Sequence, residues 1–229
     1  TLHAWRREQD DLAVIRVSRL SGDNLALLQS AMSRSRDAAA LILDLRGADP
    51  GPESREFVLS LLGYFTPEYR DLLQIRLRNS RYAQALGIGD PEVPAEYPPA
   101  RVQAVRPGPF LLEMPVVVLL DDNLLLPPDL LLYGLDFLGT GLIMGRAWPF
   151  AGTAGPMTVQ TPYRNWSFQV ATEALYDMQM NVLAGHRVEP DRVFEPSLEE
   201  LKGSGDPVMD RAVRWLQEDM MEPSGEDMA

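Results

Sequence analysis

The sequence predicts an α/β fold, and three observations carry that prediction. Two runs, Ala40 to Leu45 and Pro115 to Leu120, are apolar without alternation, the pattern of strands buried on both faces of a parallel sheet. Each empties into a turn and then a stretch of helical length with apolar residues on one side or throughout. After Met157 the pattern changes to short runs joined by a turn-forming segment, which marks antiparallel pairing.

Taken in order, Leu12 to Val17 (LAVIRV) reads as a strand. Asp23 is placed to cap an amphipathic helix carrying Leu25, Leu28 and Met32 on one face and ending near Asp37. The apolar run Ala40 to Leu45 follows, then a turn from Gly47 to Gly51, then a helix from Glu53 or Ser54 through Leu62, which completes a βαβ-type opening. Leu73, Ile75 and Leu77 alternate with Gln74 and Arg76 and suggest a strand. The segment GDPEVPAEYPPARVQAVRPGP is too rich in proline for a helix or a central strand and is expected to lie over the surface as a loop or cap, within a region of about 79–113.

Pro115 to Leu120 then leads through an abrupt turn, Leu124, Leu125 and Leu126, into a helix that opens on Pro127 and Pro128 and stops at Gly139. Gly141 to Met144 is a third parallel strand. Met157 to Thr161 and Trp166 to Thr172 form the antiparallel part, with TPYRN between them. Ser197 with Glu200 makes a capping box for a short helix, and Asp206 with Pro207 starts a last helix in which Val208, Ala212, Trp215 and Leu216 share a face. Residues 1–229 read as a single core domain that ends in an acidic tail at about 219–229.

Composition removes whole classes of chemistry. There is no cysteine, hence no disulfide, no thiolate catalysis and no sulfur-ligated metal. The only histidines are His3 and His186, and nothing has the spacing of a metal-binding helix, so no metal and no cofactor are expected. A net charge of −12 argues against a nucleic-acid partner. No apolar window is long enough to span a membrane. Lys202 is the one lysine, so a lysine-based mechanism must use it or not exist, because arginine stays protonated and cannot act as a general base. A chain beginning at Thr1 suggests a processed product or a piece of something longer.

The stretch from Glu113 to Gln160 has the layout by which α/β hydrolytic folds present a nucleophile, where a side chain at a helix N-terminus meets free backbone N–H groups and the positive end of the dipole. Here leucines occupy the turn. The order of segments resembles that of the C-terminal processing peptidases, or tail-specific proteases. ALILDLRGADPG is similar to their ILDLRGNPGG, MPVVVLLDD to PVVVLVD, LGTGLIMGRAWPFAGT to YGRALVVGEPTFGKGT, GHRVEPDRVFEP to GKGIEPDVVVEP, and SLEELKGSGDPVMDRAVRWL to the closing helix. The resemblance runs from about Asp11 to Leu216. It implies a ClpP/crotonase-like protease core with stacked ββα units, parallel strands plus an antiparallel C-terminal portion. No PDZ domain, which such peptidases carry ahead of the core, is visible.

In that family a serine in SASASE is the nucleophile and the lysine of FGKGT its general base. Ungapped alignment places Leu126 at the serine, Ala151 at the lysine, Asp121 after the strand and Asp129 at the glutamate, with Gly145 and Gly152 matching family glycines. Between Glu113 and Gln160 there is no serine, cysteine or lysine, so a displaced pair cannot be drawn. Leu126 and Ala151 are expected near one another at the mouth of a cleft beside Gly47. Thr153 lies in the loop without a base. Asp44, Arg46 and Gly47 match DLRG, whose glycine lends an N–H to the oxyanion hole in the family; the simpler reading is an Asp44 and Arg46 pair that holds the turn. Asp121, Asp122 and Asp129 read as ordinary helix-dipole partners, His186 as a loop histidine and Lys202 as a surface charge. Trp148, Phe150, Met144 and Leu124 to Leu126 would surround the cleft as core or as an apolar groove.

These readings imply a non-catalytic pseudo-peptidase that binds a peptide or protein segment or acts as a structural module. The alternatives are an active serine-type endopeptidase of the same family and a carrier of an apolar small molecule in the former cleft. Homo-oligomerisation is open. The resemblance leans toward a bacterial protein that is exported, periplasmic or extracellular.

Overall fold

The computed structural model describes residues 2–50, 54–77, 92, 100–121, 128–145, 148–149, 153–160, 166–183 and 187–221. They form two compact units. The first takes in residues 1–67, 107–148 and 188–229, the second residues 68–106 and 149–187.

The first unit is built on a six-stranded sheet. Its strands, in spatial order, are β1 (Leu2–Arg7), β2 (Leu12–Val17), β4 (Ala40–Asp44), β8 (Val116–Leu119), β9 (Leu142–Gly145) and β14 (Arg192–Val193). All pairs are parallel except β1 with β2, a hairpin in register Leu2 with Val17. A side ladder joins β3 (Arg19–Leu20) to β5 (Asp49–Pro50). The expected apolar runs are strands, and β4 and β8 are buried at every residue, as strands covered on both faces are; in β4 this includes the carboxylate Asp44.

Strand order advances in one direction from β2, so crossovers of one hand carry the helices α1 (Leu25–Ser35), α2 (Ser54–Leu62) and α3 (Pro128–Leu138) to one face. The other face is covered late in the chain. There Leu12, Val14, Ala40, Ile42, Val117, Leu119 and Met144 meet Met209, Ala212, Val213 and Leu216 of α5 (Pro207–Met221), with Val208 and Trp215 packed against them. The predicted α5 face is therefore the packed face. A short α4 (Leu198–Lys202) precedes it and carries the expected capping box: Ser197 Oγ accepts from the Glu200 N–H, and Glu200 accepts from the Ser197 N–H.

Two glycines shape this unit. Gly139, at φ +61°, ends α3 in a Schellman arrangement, its N–H donating to Asp136 O and the Thr140 N–H to Leu135 O. Gly134 sits inside α3, where a Cβ would come within 2.3 Å of the Leu62 side chain. A side chain at 134 would require Leu62 to shift.

The second unit is a four-stranded antiparallel sheet in the order β11 (Thr153–Gln160), β12 (Ser167–Tyr176), β6 (Arg70–Leu77) and β7 (Arg101–Val105). The antiparallel expectation holds, with both strands longer than expected. Two further short strands, β10 (Trp148–Pro149) and β13 (Arg187–Val188), make a ladder of their own.

Several expectations are corrected. Asp23 does not cap α1: residues 22–24 form a 3₁₀ turn, Asn24 precedes the helix, and neither Ser21 at the start of the turn nor Asn24 at the start of the helix makes a side-chain capping bond. Arg101 to Val105 do not form a loop but an edge strand, the one sheet position that tolerates flanking prolines, with Val102 half exposed. Leu2 to Arg7, LHAWRR, drew no strand expectation because its polar residues suit a sheet edge and hide the alternation. The last helix runs on through Met221, into the segment expected as tail.

Candidate functional site

The C-terminal ends of β4 and β8 lie side by side. Asp44 is in register with Leu119, and the Leu45 N–H donates to the Leu119 carbonyl at 3.0 Å. In open α/β sheets this end of the strands is where loops gather binding groups. Asp44 ends β4, Arg46 and Gly47 lie in the loop after it, and Asp121 lies just after β8.

Asp44 is fully buried, and an unpaired carboxylate there would be untenable. It accepts from the Arg46 N–H at 3.2 Å, from Arg46 Nε at 2.8 Å and from Arg46 Nη2 at 2.8 Å, while Arg16 Nε lies at 3.8 Å. The other edge of the same guanidinium grips Asp206, Nη1 to Oδ1 at 2.8 Å and Nη2 to Oδ2 at 2.6 Å. A planar fork engages two carboxylates at once, as lysine could not. Asp206 in turn accepts from the Met209 N–H at 3.1 Å and so caps α5. Arg46 thus ties the loop after β4 to the start of a helix 160 residues away.

The electrostatics follow from this geometry. Burial by itself would lower the Arg46 pKa, but the bonds to Asp44 and Asp206 outweigh it and hold the guanidinium above its ordinary value. The Arg46 bond holds the Asp206 carboxyl below the usual carboxylate range; partial burial opposes the shift, and the Met209 and Val208 N–H groups add to it. Arg46 is therefore a charged strut whose two forked edges are both taken by carboxylates of this chain.

Gly47 follows with φ +65°, a left-handed conformation that favours glycine, and a Cβ there would meet nothing within 4 Å. The residue is exposed at the end of the sheet, and its N–H donates to Asp121 Oδ1 at 3.1 Å. The Ala48 N–H closes the turn on the Leu45 carbonyl at 3.0 Å. The one backbone donor that the DLRG resemblance singles out is thus held by a carboxylate of this chain. Farther along the sheet, Asp191 Oδ2 accepts from the Ile143 N–H at 2.7 Å.

The structure brings together Asp44, Arg46, Gly47 and Asp121, and the Asp44 and Arg46 pair that the simpler sequence reading expected is present. Leu124, Leu125, Leu126, Phe150, Ala151 and Gly152 lie outside the described residues, as do Asp122 and His186. Trp148 belongs to β10 and Thr153 opens β11. Asp129 belongs to α3. Sequence reasoning missed Asp206 as the second partner of Arg46, and no local pattern could have revealed it. It preferred Asp121 as a dipole partner over half of an acid–base pair and did not foresee its bond to the Gly47 N–H. Among the described residues, no group of three or more His, Cys, Asp or Glu is placed to hold a metal ion.

No protein-family model matches the chain, and no curated protein matches it in sequence. Solved structures do match in fold. A proposed peptidase from Parabacteroides merdae ATCC 43184 aligns over 94% of this chain and 64% of its own, at 16% identity and a TM-score of 0.68. Mature CPAF aligns over 100% of this chain and 55% of its own, at 12% identity and a TM-score of 0.71. The photosystem II D1 C-terminal processing protease aligns over 88% and 50%, at 16% identity and a TM-score of 0.58. At such identities the likeness is one of fold: a mostly parallel sheet and an antiparallel sheet, similar to the cores of C-terminal processing proteases. This chain spans 50% to 64% of the length of these three.

Proposed function

We propose that the chain is a non-catalytic module on a tail-specific protease fold, which binds a peptide or protein segment at the C-terminal edge of its parallel sheet. The observation that carries this reading is chemical. From Glu113 to Gln160, the span that the resemblance assigns to nucleophile and general base, there is no serine, cysteine or lysine, and Leu126 and Ala151 stand at the two positions. A serine-lysine mechanism needs both groups in hydrogen-bond reach. Two features of the site support the non-catalytic half of this reading. The Arg46 guanidinium is committed to Asp44 and Asp206, and the Gly47 N–H is committed to Asp121.

Incubation of the purified protein with a fluorophosphonate probe tests it. No covalent adduct is expected by mass spectrometry. A labelled serine or threonine would overturn the proposal in favour of an active serine-type endopeptidase. Calorimetry against a panel of peptides with free C-termini, and separately against fatty acids, tests the binding half. Heat is expected with peptides; binding of fatty acids alone would replace the proposal with an apolar carrier, and binding of neither would leave a structural module.

A further inference from the structure

The exposed turn after β4 carries a left-handed glycine with open space above it, and its N–H is held by a side chain from the end of the neighbouring strand. We propose that Asp121 is an autoinhibitory group: its carboxylate is an internal competitor for the Gly47 N–H, and a ligand oxygen reaches that donor only by displacing it. The inference rests on the reading of this sheet edge as a binding site and adds how that site is regulated.

Three observations carry it. The contact is between two loops and not within a strand ladder. Gly47 pairs with a residue 74 positions away, while the sheet beside it is already closed by the Leu45 N–H on the Leu119 carbonyl and the Leu120 N–H on the Met144 carbonyl. The Gly47 to Asp121 bond can therefore open without unpairing a strand. Second, the turn that aims the N–H is braced independently. Arg46, the preceding residue, is fixed by Asp44 and Asp206, so losing Asp121 leaves the donor pointing where it does. Third, the group on the donor is an oxygen of a carboxylate, and Asp121 is only partly buried while Gly47 is exposed, so solvent and a ligand can reach the pair. A backbone N–H held by a charged acceptor is among the stronger hydrogen bonds, so the internal acceptor sets a real threshold for any external one.

The class of external acceptor follows from the donor. A single backbone N–H takes a carboxylate oxygen, as Asp121 shows, or a peptide carbonyl oxygen. Acetate and the uncharged peptide acetyl-pentaalanine amide represent these two chemistries.

The experiment compares the wild-type chain with Asp121→Ala and Asp121→Asn, labelled with ¹⁵N, by following the Gly47 amide resonance during titration with each probe. Asp121→Ala should bind acetate or the peptide amide at Gly47 at least about tenfold more tightly than wild type, which corresponds to removing an internal hydrogen bond to a charged group. Asp121→Asn keeps the shape with a weaker acceptor and should fall between the two, and it carries the comparison if Asp121→Ala fails to fold. Equal binding by wild type and variants would overturn autoinhibition and leave a ligand site at Gly47 intact. Absence of binding in every variant would overturn both the autoinhibitory role and the binding reading beneath it.

Discussion

At the scale of single residues, Arg46 is where the loop after β4 acquires its geometry. It answers a buried carboxylate, Asp44, and a half-exposed one, Asp206, with the two edges of one planar group. The two bonds are unequal because burial differs. Replacing Arg46 with Met would leave the buried Asp44 with only the backbone N–H of residue 46 and Arg16 at 3.8 Å, and urea unfolding should show a loss of about 3–5 kcal/mol. Asp206→Asn removes an ion pair on the solvent side, and at neutral pH it should cost well under that amount. The pH dependence has a definite sign. The Asp206 carboxyl sits below its ordinary value in the folded chain, so its share of stability is present above the unfolded carboxylate pKa of about 4 and is lost as pH falls through the lowered folded value. In the same urea measurements, the difference between wild type and Asp206→Asn should be full at pH 7 and shrink on acidification below about pH 4; a difference that grows in acid would contradict the assignment. Asp44, Arg46 and Gly47 were all legible as a turn from the string DLRG. Asp206 was legible only as a helix start, because the partner it meets lies far away in sequence.

At the scale of elements, α3 shows what a sequence pattern carries and what it leaves out. Its start on proline, its leucine content and its stop at Gly139 were all readable, since each is a local requirement of helix geometry. Gly134 was not explained by any of these, and on propensity alone it weakens the helix by about 1 kcal/mol relative to alanine. Its reason lies on another helix, in the Leu62 side chain. Gly134→Ala should therefore destabilise by about 1–3 kcal/mol through overpacking despite the gain in helix propensity. The paired variant Gly134→Ala with Leu62→Ala should recover part of the combined loss in a double-mutant cycle by thermal unfolding. Simple additivity would show that the two side chains do not compete for one space. The edge strands give the complementary case. LHAWRR and RVQAV escaped recognition as strands because an edge strand has one unpaired side and only partial burial, so its residues need not alternate and proline can stand next to it.

At the scale of the whole molecule, two sheets of different kind carry different stakes. The parallel sheet of the first unit is covered on both faces, and Ile42 sits in the cluster that joins β2, β4, β8 and β9 to α5. Ile42→Ala should cost about 2–5 kcal/mol by chemical denaturation. Val102→Ala, on the half-exposed edge of the antiparallel sheet, should stay within about 0.5 kcal/mol. Comparable effects at the two positions would mean that the edge is covered in solution. Among the described residues no helix is long and apolar enough to cross a membrane. By itself the sequence determined the α/β class, the central strands, the antiparallel pair, the capping box and the absence of serine, cysteine and lysine between Glu113 and Gln160. Each of these is written locally, as an apolar run, an alternation, a cap or a missing residue type. Only the tertiary structure decided that Arg46 clasps Asp206, that Asp121 occupies the Gly47 N–H, that Gly134 yields to Leu62 and that α5 closes the second face of the sheet. A hydrogen bond or a van der Waals contact between residues 70 to 160 positions apart depends on how strands stack and chains return, and no spacing along the chain encodes that return.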